Sequence, residues 1–157
     1  MERKPLLISE CLLGVACRYD GRSVPLPVET LSRLRSHYML IPVCPEQLGG
    51  LKTPRAPSER CAGRVVSKHG EDVTAQYRRG AEQALYLAEL FGCTRALLKE
   101  RSPSCGSGKI YDGSFSGTLT DGWGVTAELL KSCGLAVFGE SEVETLTEYS
   151  AENPQKI

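Results

Sequence analysis

Short apolar runs alternate with amphipathic stretches along this chain. KPLLIS (4–9) reads as a buried strand. Pro27 opens a helix on which Val28, Leu31, Leu34 and Tyr38 recur at helical spacing. HYMLIPVC (37–44) is the next strand and ends at Cys44. Val73, Tyr77, Ala81, Ala84, Ala88 and Phe91 mark the apolar face of a long helix over 73–91, stopped by Gly92. TRALLKE (94–100) gives a third strand and LAVFGE (135–140) a fourth, with a helix over 125–133, closed by Gly134, between them. Ser141 and Glu144 form a capping box for a final helix, and the tail from 150 reads as frayed. PEQLGGLKTPRAPSER (45–60) and IYDGSFSGTLTDGWG (110–124) read as loops. RVVSKHGEDVT (64–74) reads as a small hairpin turning near His69–Gly70. Strands alternating with helices, and no linker or repeat, predict a single-domain α/β fold. Its sheet is open and mostly parallel, flanked by helices in a Rossmann-like arrangement.

Charge and length narrow the function. The 157 residues suffice for one core. The 19 basic and 19 acidic residues cancel, so no global field draws in nucleic acid or an anionic membrane. No apolar run approaches the roughly 18 residues of a membrane span. Glu10 interrupts the apolar start of the chain, which argues against a secretory leader and for a cytoplasmic location. Seven cysteines, an odd number without a leader, argue against a disulfide framework, and no CxxC pair occurs.

Three of those cysteines share a topological position. Cys11, Cys44 and Cys105 each follow the C-terminal end of a predicted strand, and Glu140 ends the fourth strand in the same way. Open α/β sheets bind ligands outside those ends, so the three thiols are expected to converge on one rim. They could hold zinc, or a 4Fe-4S cluster with one iron left open, or they could be small buried hydrophobes. Cys61, Cys93 and Cys133 read as packing residues. Cys17 stays open between a fourth ligand, a redox partner and packing. GSGK (106–109) fails the phosphate-loop pattern, because Pro103 stands where a glycine is required and Ile110 follows the lysine. His37 falls in a helix and His69 in a polar turn, so the acid–base candidates are Glu46, Glu100 and Glu140. Glu100 and Glu140 equally suit solvated surface positions.

The motifs CLLGVACRYDG (11–21), PVCPEQLGGLKTPR (42–55), GEDVT (70–74), KERSPSCGSGKIYDGSFSG (99–117), GWGVTAELL (122–130) and VFGE (137–140) resemble the TudS-like thiouracil desulfidase family. The resemblance covers about residues 5–140 in one order. It implies a 4Fe-4S cluster held by Cys11, Cys44 and Cys105 with the fourth iron open. It implies non-redox removal of sulfur from a thiolated uracil compound, with Glu46 and Ser102 as the catalytic polar groups. The expected substrate is 4-thiouridine 5′-monophosphate, giving UMP and hydrosulfide. Alternatives are the 2- or 4-thiouracil base and 4-thiouridine in tRNA, although the zero net charge argues against a large RNA footprint. A phosphate would meet Arg18, Arg22 or Lys109, with Lys52 and Arg55 as further candidates. A zinc- or thiol-based redox sensor is the non-enzymatic rival. No stripe or patch assigns an oligomeric state.

Overall fold

A computed structural model describes residues 2–152 of the chain, with side chains through 148. Four parallel strands form the main sheet: β1 (Lys4–Ser9), β2 (Tyr38–Val43), β5 (Arg95–Leu98) and β8 (Ala136–Gly139). Their order is β2-β1-β5-β8. Leu6, Leu7 and Ile8 of central β1 are all fully buried, as a strand covered on both faces requires. Pro42, which has no N–H to give to a ladder, lies in edge strand β2 opposite Ile8.

Helices cover both faces. On one side Leu6, Ile8 and Leu97 meet Leu34 of α1 (Val28–His37) and Leu146 of α5 (Val143–Glu152). On the other, Leu7, Ala96 and Leu98 meet Ala88 of α3 (Thr74–Phe91) and Ala127 and Leu130 of α4 (Val125–Ser132). This is the single-domain, mostly parallel α/β architecture the pattern predicts. The Tyr38 hydroxyl donates to Leu146 O at 2.8 Å and accepts from Arg95 Nη1 at 2.9 Å, which pins α5 to the sheet. No helix among the described residues is long and apolar enough to cross a membrane.

The departures lie in the connections. Residues 45–60 are not all loop: Pro45–Leu48 form the short helix α2 and Ser58–Cys61 form β3. Strand β3 pairs antiparallel with β4 (Arg64–Ser67), so the hairpin turns at Ala62–Gly63, both at positive φ, and not at His69–Gly70. His69–Gly70 lies in a second, longer turn, closed by an antiparallel bridge between Val66 and Asp72. The second glycine-rich segment contains another hairpin, β6 (Lys109–Tyr111) with β7 (Leu119–Asp121). In each hairpin one strand, β3 or β7, has no buried residue to announce it and is held by backbone pairing to its partner. At the start of α5, Ser141 gives its N–H and hydroxyl to Glu100 Oε1 and does not cap the helix. Glu142 instead reaches back to the Gly139 N–H at 3.1 Å. Helix α5 continues to Glu152, past the expected start of a frayed tail, and residues 153–157 of that tail lie outside the described residues.

Candidate active site

The three strand exits build one cleft at the carboxyl edge of the sheet. After β1 the chain turns into a 3-10 helix, Glu10–Leu13, which carries Cys11. After β2, Cys44 stands at the N-cap of α2 with Pro45 at the first helical position. After β5, residues 99–105 fold back and end at Cys105. The Ser9 hydroxyl oxygen accepts the Lys99 N–H at 3.0 Å, which ties the exit of β1 to that of β5. The cleft has a volume of about 550 Å³, within the range of small-molecule sites. Cys11, Cys17, Cys44, Cys105, Glu46, Ser102 and Arg18 line it.

The loop carrying Cys105 is latched from within. Ser102 Oγ accepts the N–H groups of Ser104 and Cys105, each at 3.1 Å, in a serine turn. That leaves the Ser102 hydroxyl proton without a partner inside the turn. The start of α4 locks the same loop from outside: Thr126 N donates to Ser104 O at 2.8 Å, and the two hydroxyls lie 3.0 Å apart. Gly124 makes this approach possible, since a Cβ there would sit 2.4 Å from the Ser104 carbonyl carbon.

Glu46 projects from α2. Its Oε2 accepts from Arg55 Nη2 at 2.5 Å and its Oε1 from the Tyr77 hydroxyl of α3. The same Arg55 nitrogen donates to Cys17 O at 2.9 Å, so one guanidinium spans the acidic group and the cysteine loop. Burial pulls the Arg55 pKa down, but the Glu46 carboxylate outweighs it and the guanidinium is held charged. Burial, reinforced by the Glu46 charge, pushes the Tyr77 phenol far above its usual range, so it stays a donor.

Three thiols of this cleft, Cys17, Cys44 and Cys105, are pushed above the ordinary thiol value. Burial pushes the Cys105 thiol up to about 12, against a hydrogen bond with Ser9 that pulls it down. A hydrogen bond with Cys11 pushes Cys17 up to about 11, with Cys44 opposing and burial adding to the rise. Contact with Cys17 and then burial raise Cys44 well above the thiol range. Burial favours the protonated form of these thiols, and a soft metal group would supply the positive charge that displaces the protons. Among the described residues no three Cys, His, Asp or Glu side chains converge closely enough for a single metal ion. Cys11, Cys44 and Cys105 stand around a cavity and not about a point, a donor set that fits a multi-iron cluster with thiolate ligands.

Other expected site residues lie elsewhere. Lys109 is exposed and pairs with Asp121 across β6 and β7, at 2.5 Å. Arg22, Lys52, Arg55 and Lys109 are not among the residues that line the cleft, and Arg55 is committed to Glu46. Of the named phosphate candidates only Arg18 reaches it, paired with Asp20 at 3.3 Å. Glu140 accepts from Lys99 Nζ at 2.6 Å and from the Glu100 N–H at 2.7 Å, and does not line the cleft. Glu100 lines it but spends Oε1 on Ser141. Of the cysteines read as packing residues, Cys93 is buried, whereas Cys61 and Cys133 are exposed: one ends an outlying hairpin strand and the other follows the last turn of α4.

Several lining residues are not singled out by the sequence, although all but Lys68 lie inside the quoted motifs. Lys68, from the loop after β4, and Arg101, at φ 66°, add cations to the cleft. Tyr19, Tyr111 and Phe115 add aromatic surface. Phe115 sits at φ 56° in a loop whose N–H groups at Gly113 and Phe115 both donate to Glu59 Oε1, at 3.0 and 3.1 Å. A motif search cannot find such contacts, because they join segments more than fifty residues apart.

A Rossmann-like sheet whose strand exits present buried thiols, a fixed carboxylate and aromatic walls defines an α/β protein with a cysteine-lined cleft of small-molecule size. The chain belongs to the 2-thiouracil desulfurase family, whose sequence profile matches residues 6–142. It is 41% identical over 151 residues to the uncharacterized protein YbbK of Bacillus subtilis (strain 168), covering 90% of this chain and 99% of that one. It also matches the solved structure of the 4Fe-4S-dependent thiouracil desulfidase TudS with a TM-score of 0.90 and 45% identity, over 96% of this chain and 99% of that one.

Proposed function

We propose that this chain is a desulfidase acting on a thiolated uracil compound, with a 4Fe-4S cluster held by Cys11, Cys44 and Cys105. The observation that carries this reading is the presence of three buried thiols, from three strand exits, in one cleft. The likeness to TudS over nearly the whole chain supports it. When bound, such a cluster with one iron unligated by protein supplies a Lewis acid for the thiocarbonyl sulfur.

The remaining chemistry falls to the side chains. Water adds to the ring carbon, the C–S bond breaks and sulfur leaves as hydrosulfide. The carbon gains oxygen as it loses sulfur, so no oxidant or reductant is consumed. Glu46, with one oxygen on Arg55 and the other on Tyr77, keeps lone pairs for the proton of the attacking water. Ser102 donates its hydroxyl to the substrate or the water, since its oxygen is already fixed by two N–H groups. Cys17 acts as a hydrogen-bond partner of Cys11 and Cys44 and not as a ligand. Tyr19, Tyr111 and Phe115 offer faces to a flat heterocycle.

For the substrate we favour 4-thiouridine 5′-monophosphate. Arg18, Lys68 and Arg101 line the cleft and suit a phosphate at its mouth. The test is anaerobic purification with iron and sulfide assays, then sulfide release from 4-thiouracil, its nucleoside and its nucleotide. The nucleotide is expected to show the highest kcat/KM. Equal values for base and nucleotide would remove the phosphate contact, and no release from any of them would remove the desulfidase reading.

A further inference from the structure

Helix α2 has only four residues, too few to hold its own geometry. Yet it begins beside Cys44 and carries Glu46, so something outside it must set its position. That support is α3. A Cβ added at Gly49 would stand 2.0 Å from Gln76 O, and one added at Gly80 would stand 1.9 Å from Pro45 O. Neither glycine is at positive φ, so what the fold needs at both is space. The two backbones touch with no side chain between them. Tyr77 lies three residues before Gly80 on the same face of α3 and reaches Glu46 Oε1. Its ring is packed with Val65 and Val73, and the residue is 2% exposed.

We propose that Tyr77, seated by the Gly49–Gly80 crossing, is a positioning residue for the desulfuration, holding the Glu46 carboxylate where it accepts the proton of the attacking water. The inference rests on the desulfidase reading above. Arg55 alone fixes one carboxylate oxygen and leaves the group free to swing about it. A second donor on the other oxygen fixes the plane. Misplacing a reacting group by an ångström costs on the order of 100-fold in rate.

Tyr77→Phe keeps the packed ring and removes only the hydroxyl. In the anaerobically reconstituted full chain it is expected to lower kcat for sulfide release about 10- to 100-fold, with KM within about twofold of wild type. Iron and labile sulfide per chain, visible absorption and melting temperature should match wild type. An unchanged kcat overturns the inference, as does a loss of activity that tracks a loss of iron. Gly80→Ala must push α2 off α3, so both kcat and retained iron should fall; wild-type values of both would overturn the seat. A wild-type chain that loads the cluster but releases no sulfide overturns the desulfidase reading and this inference with it. An active wild type beside an unimpaired Tyr77→Phe overturns this inference alone.

Discussion

In the proposed reaction, Glu46 and the cleft cysteines divide the work at the level of single residues. Glu46 is held by two donors in a partly buried site, so its carboxylate is fixed in position as well as available. Glu46→Ala should reduce sulfide release by at least about 100-fold, the usual scale for removing a general base. Visible absorption and iron content should stay at wild-type levels, because none of the proposed cluster ligands changes. The cysteines separate by role in the opposite readout. Cys11→Ser, Cys44→Ser and Cys105→Ser should each lose most of the iron after anaerobic reconstitution, whereas Cys17→Ser should keep most of it. Iron retained equally in all four variants, or lost equally, would redraw the ligand set. Glu46 could be singled out in the sequence because it follows Cys44 by two positions. Lys68 could not, because nothing beside it in the chain is functional, and Arg101 reaches the cleft through a left-handed backbone, at φ 66°, that its place beside Ser102 does not announce. Lys109 lies in a matched motif and Arg22 directly after one, which is all that suggests them; the fold turns Lys109 onto Asp121.

Among the elements, the strands and long helices follow directly from apolar periodicity, while the pieces that shape the cleft do not. Ser58–Cys61 has no apolar face, so its pairing with β4 depends on the two left-handed residues at Ala62–Gly63. The loop that carries Phe115 is held by Glu59 from that same hairpin, so two segments without a hydrophobic signature support each other. The latch at Cys105 is clearer in its consequence. Gly124 has φ −64°, a conformation any residue adopts, and alanine there would ordinarily be neutral or mildly stabilising. Here its Cβ would strike the Ser104 and Cys105 backbone. Gly124→Ala should therefore cost about 1–3 kcal/mol in urea unfolding, the range for overpacking, and should lower iron retention by displacing Cys105. A stability gain would show that α4 yields where this packing says it cannot.

At the scale of the whole molecule, the apo protein is poised by its thiols. Cys17 and Cys105 have folded values of about 11 and about 12, above the ordinary value of 9.0. A raised folded value means the folded state holds the proton more tightly than the unfolded one. The stabilisation is complete below about pH 9 and is lost as pH climbs towards 11 and 12. The melting temperature of the apo protein should fall through that window, and Cys105→Ser should flatten the decline. An equally steep fall in the variant would assign it to other groups. What the sequence determined by itself was the architecture and the trio of cysteines at strand exits. Apolar period and chain order are local properties, and a parallel sheet sends every strand exit to the same edge. Only the tertiary structure decided which charges reach the cleft and what holds Glu46. It also decided how Cys17 comes to touch two other thiols. Those depend on close approaches such as Gly49 to Gly80 and Gly124 to Ser104, where segments far apart in the chain meet at van der Waals distance.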